Sequence, residues 1–297
     1  MYDRFAFGQD GHFFCKKEGE NLNQNWIVEN LNNAFSTWNG KLGELWGLVT
    51  TGPQTFKGGA VWGVMQTLHN GMVGIGYALV VLFFAISLCK NTMNFHELKR
   101  PEAAIHYFLR FVAAKALVGY GMDIMLNVFS ICNGIVTDMA DSMGGISEAM
   151  VSLPAEMQTA IENVGFLASI PLWLVTILGS LFITVLSFVM ILTVYGRFFR
   201  LYMYTALAPL PLAAFAGEST QSVGISFLKS YVGVCLEGAV IVLACVIYSA
   251  FVSTPTVASG EATTIVWSYL AETVFNMLVL VGLIKGSDRI IHEMMGL

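Results

Sequence analysis

Hydrophobic and polar positions are arranged along this chain on two different scales. Between residues 27 and 49, Ile27, Leu31, Phe35, Trp38, Leu42, Leu45, Trp46 and Val49 recur at steps of three or four, with Asn30, Asn33, Lys41 and Glu44 between them. This is the period of an amphipathic helix whose apolar face covers roughly 100°. Its two tryptophans suit a helix lying in the lipid headgroup region; docking of the same face on a helical bundle or a neighbouring subunit is the alternative. Beyond "TTGPQTFKGG", which breaks that pattern, the apolar runs lose their polar face. Five of them, residues 68–89, 103–136, 164–196, 230–253 and 263–284, reach the roughly 20 residues needed to cross a hydrocarbon core. A sixth run, "LYMYTALAPLPLAAFA" at 201–216, carries Pro209 and Pro211. Each proline lacks an N–H and breaks the helical ladder where lipid offers no substitute, so a re-entrant or interfacial hairpin is predicted rather than a crossing. Residues 1–20 have neither period, nor an apolar core followed by a small-residue cleavage site, so no removable signal peptide is expected.

The predicted fold is therefore all-α: a polytopic membrane bundle of about five transmembrane helices, a re-entrant proline hairpin and an N-terminal amphipathic helix. An extracytoplasmic segment is expected over 1–58 and a transmembrane domain over 59–297. Composition agrees. Apolar residues make up 56% and charged residues 12% of the chain, whereas a soluble domain has about a quarter of its residues charged. The net charge of −5 matters less than where each charge lies. Lys90, Lys99 and Arg100 follow the first span, and Arg197 and Arg200 follow the third. The connection at 137–163 holds Asp138, Asp141, Glu148, Glu156 and Glu162 with no lysine or arginine. The positive-inside rule puts the basic connections in the cytoplasm and the acidic one outside. If 201–216 crossed, Lys229, Lys285 and Arg289 would all fall on the wrong side; if it turns back, all agree. The N-terminus is then outside and the C-terminus cytoplasmic, in the cell membrane.

Five ionisable residues lie within the spans: Arg110, Lys115, Asp123, Glu237 and Glu272. Each is costly in lipid and needs a partner or water. Counted along straight helices from the cytoplasmic ends, Arg110 and Glu237 lie about 10 Å deep, and Lys115 and Glu272 about 18 to 20 Å deep. Two interhelical ion pairs, Arg110–Glu237 and Lys115–Glu272, are expected; the alternative is that some of these groups line a polar path at subunit contacts. Asp123 is expected at the wet outer interface. Arg197 and Arg200 stand at the predicted cytoplasmic mouth of the hairpin, either to meet an acidic ATPase surface or DNA phosphate, or to anchor the third span at headgroups.

Enzymatic chemistry is not supported, and no metal or cofactor is called for. His12, His69, His96, His106 and His292 lack metal-ligand spacing, no G-x-S-x-G element occurs, and "GLIKG" is not a phosphate loop. Gly71, Gly74 and Gly76 open a membrane span and read as close helix packing. Cys89, Cys132, Cys235 and Cys245 lie in or beside apolar runs and read as packing residues; Cys15 lies outside them.

The stretches "GMVGIGYALVVLFFAISLCK", "NFHELKRPEAAIHYFLRF" and "YMYTALAPLPLAAFA", in this order, resemble the TrbL-type, VirB-like polytopic subunit of type IV secretion machines, in the short form found in conjugative elements of Gram-positive bacteria. The resemblance covers roughly residues 60–295; the Lys-Arg-Pro-Glu run at 99–102 and the double-proline hairpin are its sharpest parts. It implies a channel or scaffold subunit that forms a homo-oligomeric ring. It also implies docking on cytoplasmic secretion ATPases and other conjugation subunits, and a part in passing relaxase-bound single-stranded DNA through the membrane. The outer loop departs from the larger members: it is short and acidic, whereas phosphate contact needs lysine or arginine. The alternative from a different class is a stand-alone secondary transporter using Glu237 or Glu272 at mid-membrane, which should show an internal repeat; none is found, for "APLPLA" has no second copy.

Overall fold

A computed structural model describes residues 18–92, 101–142, 150–162, 166–251 and 262–297. Every element among them is helical: α1 (Glu18–Thr50), a 3-10 turn (Phe56–Gly59), α2 (Ala60–Thr92), α3 (Pro101–Gly119), α4 (Gly121–Ser142), α5 (Ala155–Glu162), α6 (Phe166–Leu207), α7 (Pro209–Ala213), a second 3-10 turn (Ala214–Ala216), α8 (Gln221–Phe251) and α9 (Ala262–Met295). Helices over Phe56–Lys90, Ile170–Leu207, Gln221–Ala250 and Thr264–Met295 are long and apolar enough to cross a membrane, and α3 with α4 makes a fifth if the two are one broken span. The protein is a helical polytopic membrane bundle, as its sequence predicts. Residues 1–17, 93–100, 143–149, 163–165 and 252–261 lie outside the described residues, and with them Cys15, Lys99, Arg100 and Glu148.

α1 carries the predicted amphipathic pattern, but its apolar face is covered by protein. Ile27, Leu31, Trp38, Leu42, Leu45 and Val49 are fully buried and Phe35 nearly so, while Trp46 is half-buried. Docking, not the headgroup layer, takes this face, because removing six or seven large side chains from solvent gains about 1.5 to 3 kcal/mol each. Pro53, which disfavours helical backbone at Gly52, closes the helix. Near its end Glu44 accepts hydrogen bonds from Lys41 Nζ (2.6 Å) and the Tyr195 hydroxyl (3.1 Å). The Lys41 bond, opposed by partial burial and aided by Tyr195, holds the Glu44 carboxyl below its ordinary range.

Two spans differ from the sequence expectation. The run 103–136 is not one straight helix: α3 and α4 meet at Tyr120 with a 72° bend. Hydrogen bonds from Tyr120 to Ala116 and from Ile124 to Tyr120 continue through the bend. The glycines on either side of Tyr120 press on neighbours, Gly119 on the Tyr77 hydroxyl and Gly121 on Leu212 and His69. The third span does not stop before Arg197. α6 runs 42 residues, about 63 Å at 1.5 Å per residue and twice a hydrocarbon core, because both arginines find partners within the chain. Residues 201–207 of the predicted hairpin are its last two turns.

The chain forms two compact units that interleave in sequence: Met1–Gly40 with Val151–Leu186 and Thr254–Met277, and Lys41–Met150 with Ser187–Ser253 and Leu278–Leu297. In the first, the Asn39 side chain bonds both backbone groups of Val151, donating to its carbonyl (2.8 Å) and accepting from its amide (2.9 Å). The Tyr269 hydroxyl donates to the Ser152 carbonyl, and Met157 and Ile161 of α5 are buried. The acidic connection thus carries a docked helix, with Glu156 and Glu162 exposed. In the second unit, α4 packs along α8, and α2 and α3 pack on α7 and the turn after it. Their shared core holds Val80, Val118, Met125, Leu201, Leu212 and Tyr231.

Candidate functional site

The proline segment lies at the centre of the second unit. α6 ends at Leu207, Ala208 turns, and Pro209 opens the five-residue α7. Pro209 and the small residues Ala206, Ala208, Ala213, Ala214 and Ala216 are buried, and Pro211 is half-buried. Neighbours cover this proline-interrupted backbone, as the polar groups left unbonded by the missing N–H groups require away from water. The covering elements are α2 and α3 as well as α8. Gly76 of α2 makes the approach possible, since a Cβ there would stand 2.9 Å from the Pro209 carbonyl oxygen and from Val118 Cγ1.

Pro209 removes the N–H that would have bonded the Thr205 carbonyl one turn back. His69 replaces it: Nδ1 lies 2.7 Å from the Thr205 carbonyl oxygen, and the ring is buried. A carbonyl only accepts, so Nδ1 carries the proton in this bond. Spacing rules searched the histidines for metal ligands and missed this role; a polar residue in the apolar run of α2 was the available signal.

One to two turns earlier on α6, two arginines form a second polar centre. Arg197 is fully buried. It donates to the carbonyls of Val234 (3.3 Å), Cys235 (3.1 Å) and Val49 (3.4 Å) and lies 6.0 Å from the Phe129 ring centroid. Val49 is in the last turn of α1, where carbonyls lack helical partners and a cation is favoured. Gly238 opens the space: a Cβ there would fall 2.7 to 2.8 Å from the guanidinium. Arg200 donates through Nη2 to both Glu237 oxygens at 2.7 Å and pairs through Nη1 with Asp288. Glu237, 1% exposed, also accepts from Ser287 (3.2 Å).

The predicted Arg110–Glu237 pairing is corrected accordingly. Glu237 is held by Arg200, not by Arg110, which instead lies 4.0 Å from Glu218 and bonds Gln221. Matching by depth started the fourth span at residue 230, whereas α8 starts at Gln221, so Arg110 meets the first turn of α8 and Glu237 lies about 24 Å further along it. Lys115, in the second unit, and Glu272, in the first, are each exposed. Arg197 and Arg200 are not an open mouth: one is buried and the other engaged by two carboxylates. Asp123 is exposed, beside a polar cavity of about 530 Å³ where Gln54 and Thr55 face Asn127, Ser130 and Asn133. Among the described residues no group of three or more metal-ligating side chains is assembled.

A family model described as TrbL/VirB6 plasmid conjugal transfer like protein matches residues 38–209, more than half of the chain. The chain belongs to the TrbL/VirB6-like conjugal transfer family. No curated protein and no solved structure is matched. The TrbL/VirB6-like region takes in His69, the bent α3–α4 pair, Arg197, Arg200 and Pro209, and ends where the helix breaks. Glu237, Ser287 and Asp288, which close the charge centre, lie beyond it.

Proposed function

We propose that this protein is a channel or scaffold subunit of a type IV secretion machine for conjugative DNA transfer. It catalyses no reaction of its own. It assembles with copies of itself, docks on the cytoplasmic ATPases and other conjugation subunits, and helps relaxase-bound single-stranded DNA across the cytoplasmic membrane. Its N-terminus is outside and its C-terminus cytoplasmic, a reading supported by the charge bias of the connections. The observation that carries the function is the TrbL/VirB6-like match over 38–209 in a chain of several apolar helices. The broken segment at Pro209 and Pro211 supports placing function at the core of the second unit, since a backbone break costs helix hydrogen bonds that His69 and tight packing must offset.

The test is mating. Deleting the gene from a conjugative element should abolish transfer, and the intact gene should restore it. A Pro209→Leu, Pro211→Leu double variant should still insert in the membrane yet fail to restore transfer. Normal transfer from the deletion strain would refute the function. Normal transfer with the double variant would leave the break a packing feature only.

A further inference from the structure

An open cavity of about 710 Å³ lies between α3 and the turn leading into α8. One wall is apolar, formed by Leu109, Ala113, Leu117 and Phe215; Arg110, Glu218 and Gln221 line it as well. Arg110 Nη2 donates to Gln221 Oε1 at 3.3 Å, and Nη1 is 4.0 Å from Glu218 Oε2. These side chains are 31% and 63% exposed respectively, so neither charge is buried in a closed pair. A guanidinium has five N–H donors, and these two contacts leave donors over. The same stretch of α3 exposes Ile105, Phe108, Leu109 and Val112, a continuous apolar face of the kind that meets a membrane or a partner.

A cation and a carboxylate side by side at an apolar wall suit neither a simple anion nor a simple cation, because each ligand would meet one repulsive charge. They suit a zwitterion. We propose that this cavity binds a zwitterionic aminophospholipid: phosphate on Arg110, primary ammonium on Glu218 and the Gln221 carboxamide oxygen, and an acyl chain along Leu109, Ala113, Leu117 and Phe215. The primary ammonium matters, since its three N–H donors can bond a carboxylate and an amide oxygen together, whereas a trimethylated headgroup donates none.

The full-length protein, purified in mild detergent, is mixed with equal concentrations of phosphatidylethanolamine, phosphatidylcholine or phosphatidylglycerol and examined by native mass spectrometry. Phosphatidylethanolamine should be retained over both others. Arg110→Gln should weaken its retention about tenfold, the loss of one charge-assisted contact set. Glu218→Gln, at an exposed side chain, should abolish the preference over phosphatidylcholine while leaving lipid bound. Ala113→Trp, which fills the apolar wall, should remove all three lipids. Glycerophosphoethanolamine, the headgroup without chains, should compete poorly. Melting curves identify any variant that fails to fold, and the Glu218→Gln arm does not depend on the others. Phosphatidylglycerol bound as well as phosphatidylethanolamine, an unchanged preference in Glu218→Gln, or competition by the bare headgroup at lipid-like strength would each overturn the proposal. The last would assign the cavity to a soluble phosphate compound.

Discussion

Removing either partner of the Arg200–Glu237 pair should have unequal consequences, and the inequality follows from their surroundings. Glu237 is 1% exposed and the Arg200 side chain 28% exposed. Arg200→Gln leaves a buried carboxylate with the Ser287 hydroxyl and, without a hydrogen bond, the nearby charge of Arg197, whose donors go to backbone carbonyls. A buried charge that loses its hydrogen-bonded partner costs about 3 to 5 kcal/mol, and the Arg197 charge brings this towards the lower end. Glu237→Gln removes the buried charge itself and keeps the shape. Arg200 then retains Asp288 and partial access to solvent, so the loss is about 1 kcal/mol, an ordinary hydrogen-bond contribution. The double variant should fall well short of the sum, with a coupling of about 2 kcal/mol or more. Unfolding of the four proteins in mixed micelles of increasing denaturing-detergent fraction, followed by circular dichroism, gives the cycle. Arg200→Gln no worse than Glu237→Gln, or strict additivity, would mean that Glu237 does not depend on Arg200 and that the charge centre is wrongly drawn.

Three further outcomes test the site and its orientation. His69→Ala should cost about 1 to 3 kcal/mol by leaving the buried Thr205 carbonyl without a donor, and Pro209→Ala, which returns an N–H one turn on, should lessen that loss in the same unfolding assay; simple addition would show that His69 does not stand in for the missing donor. Gly238→Ala should destabilise by about 1 to 3 kcal/mol despite its better helix propensity, because Arg197 is pinned by three carbonyls and cannot yield to the new methyl group; a net gain in midpoint would mean the guanidinium moves freely. In a background with the native cysteines replaced, Asp141→Cys should react with an impermeant maleimide added to intact cells and Lys229→Cys should not. The reverse pattern would invert the proposed topology.

Several features of this chain were legible in its sequence because they depend on composition and period alone. Apolar runs of about 20 residues set the membrane class, and steps of three and four along 27–49 set the buried face of α1. Two prolines ended a helix, and their positions are where α6 gives way to α7. The partners of the charges were not legible in this way. Depth counted along a helix pairs Arg110 with Glu237 only if the fourth span begins near residue 230, and α8 begins at Gln221. The second span hid a bend at Tyr120, between Gly119 and Gly121, which makes it two helices. The flanking glycines were a visible signal of that bend, but its angle depends on how Tyr77, Leu212 and His69 pack against them. A charge at a helix end reads as a span boundary, yet Arg197 continues α6 because Val49, Val234 and Cys235, far apart in sequence, bring their carbonyls to it. His69 shows the same limit. Its role exists only because a proline 140 residues later leaves one carbonyl unbonded beside it. Period and hydropathy are sums over neighbours in the chain, and they determined which segments are helices and which faces are apolar. Hydrogen bonds of buried polar groups are short-ranged in space and indifferent to sequence separation, so only the tertiary structure decided which charge meets which.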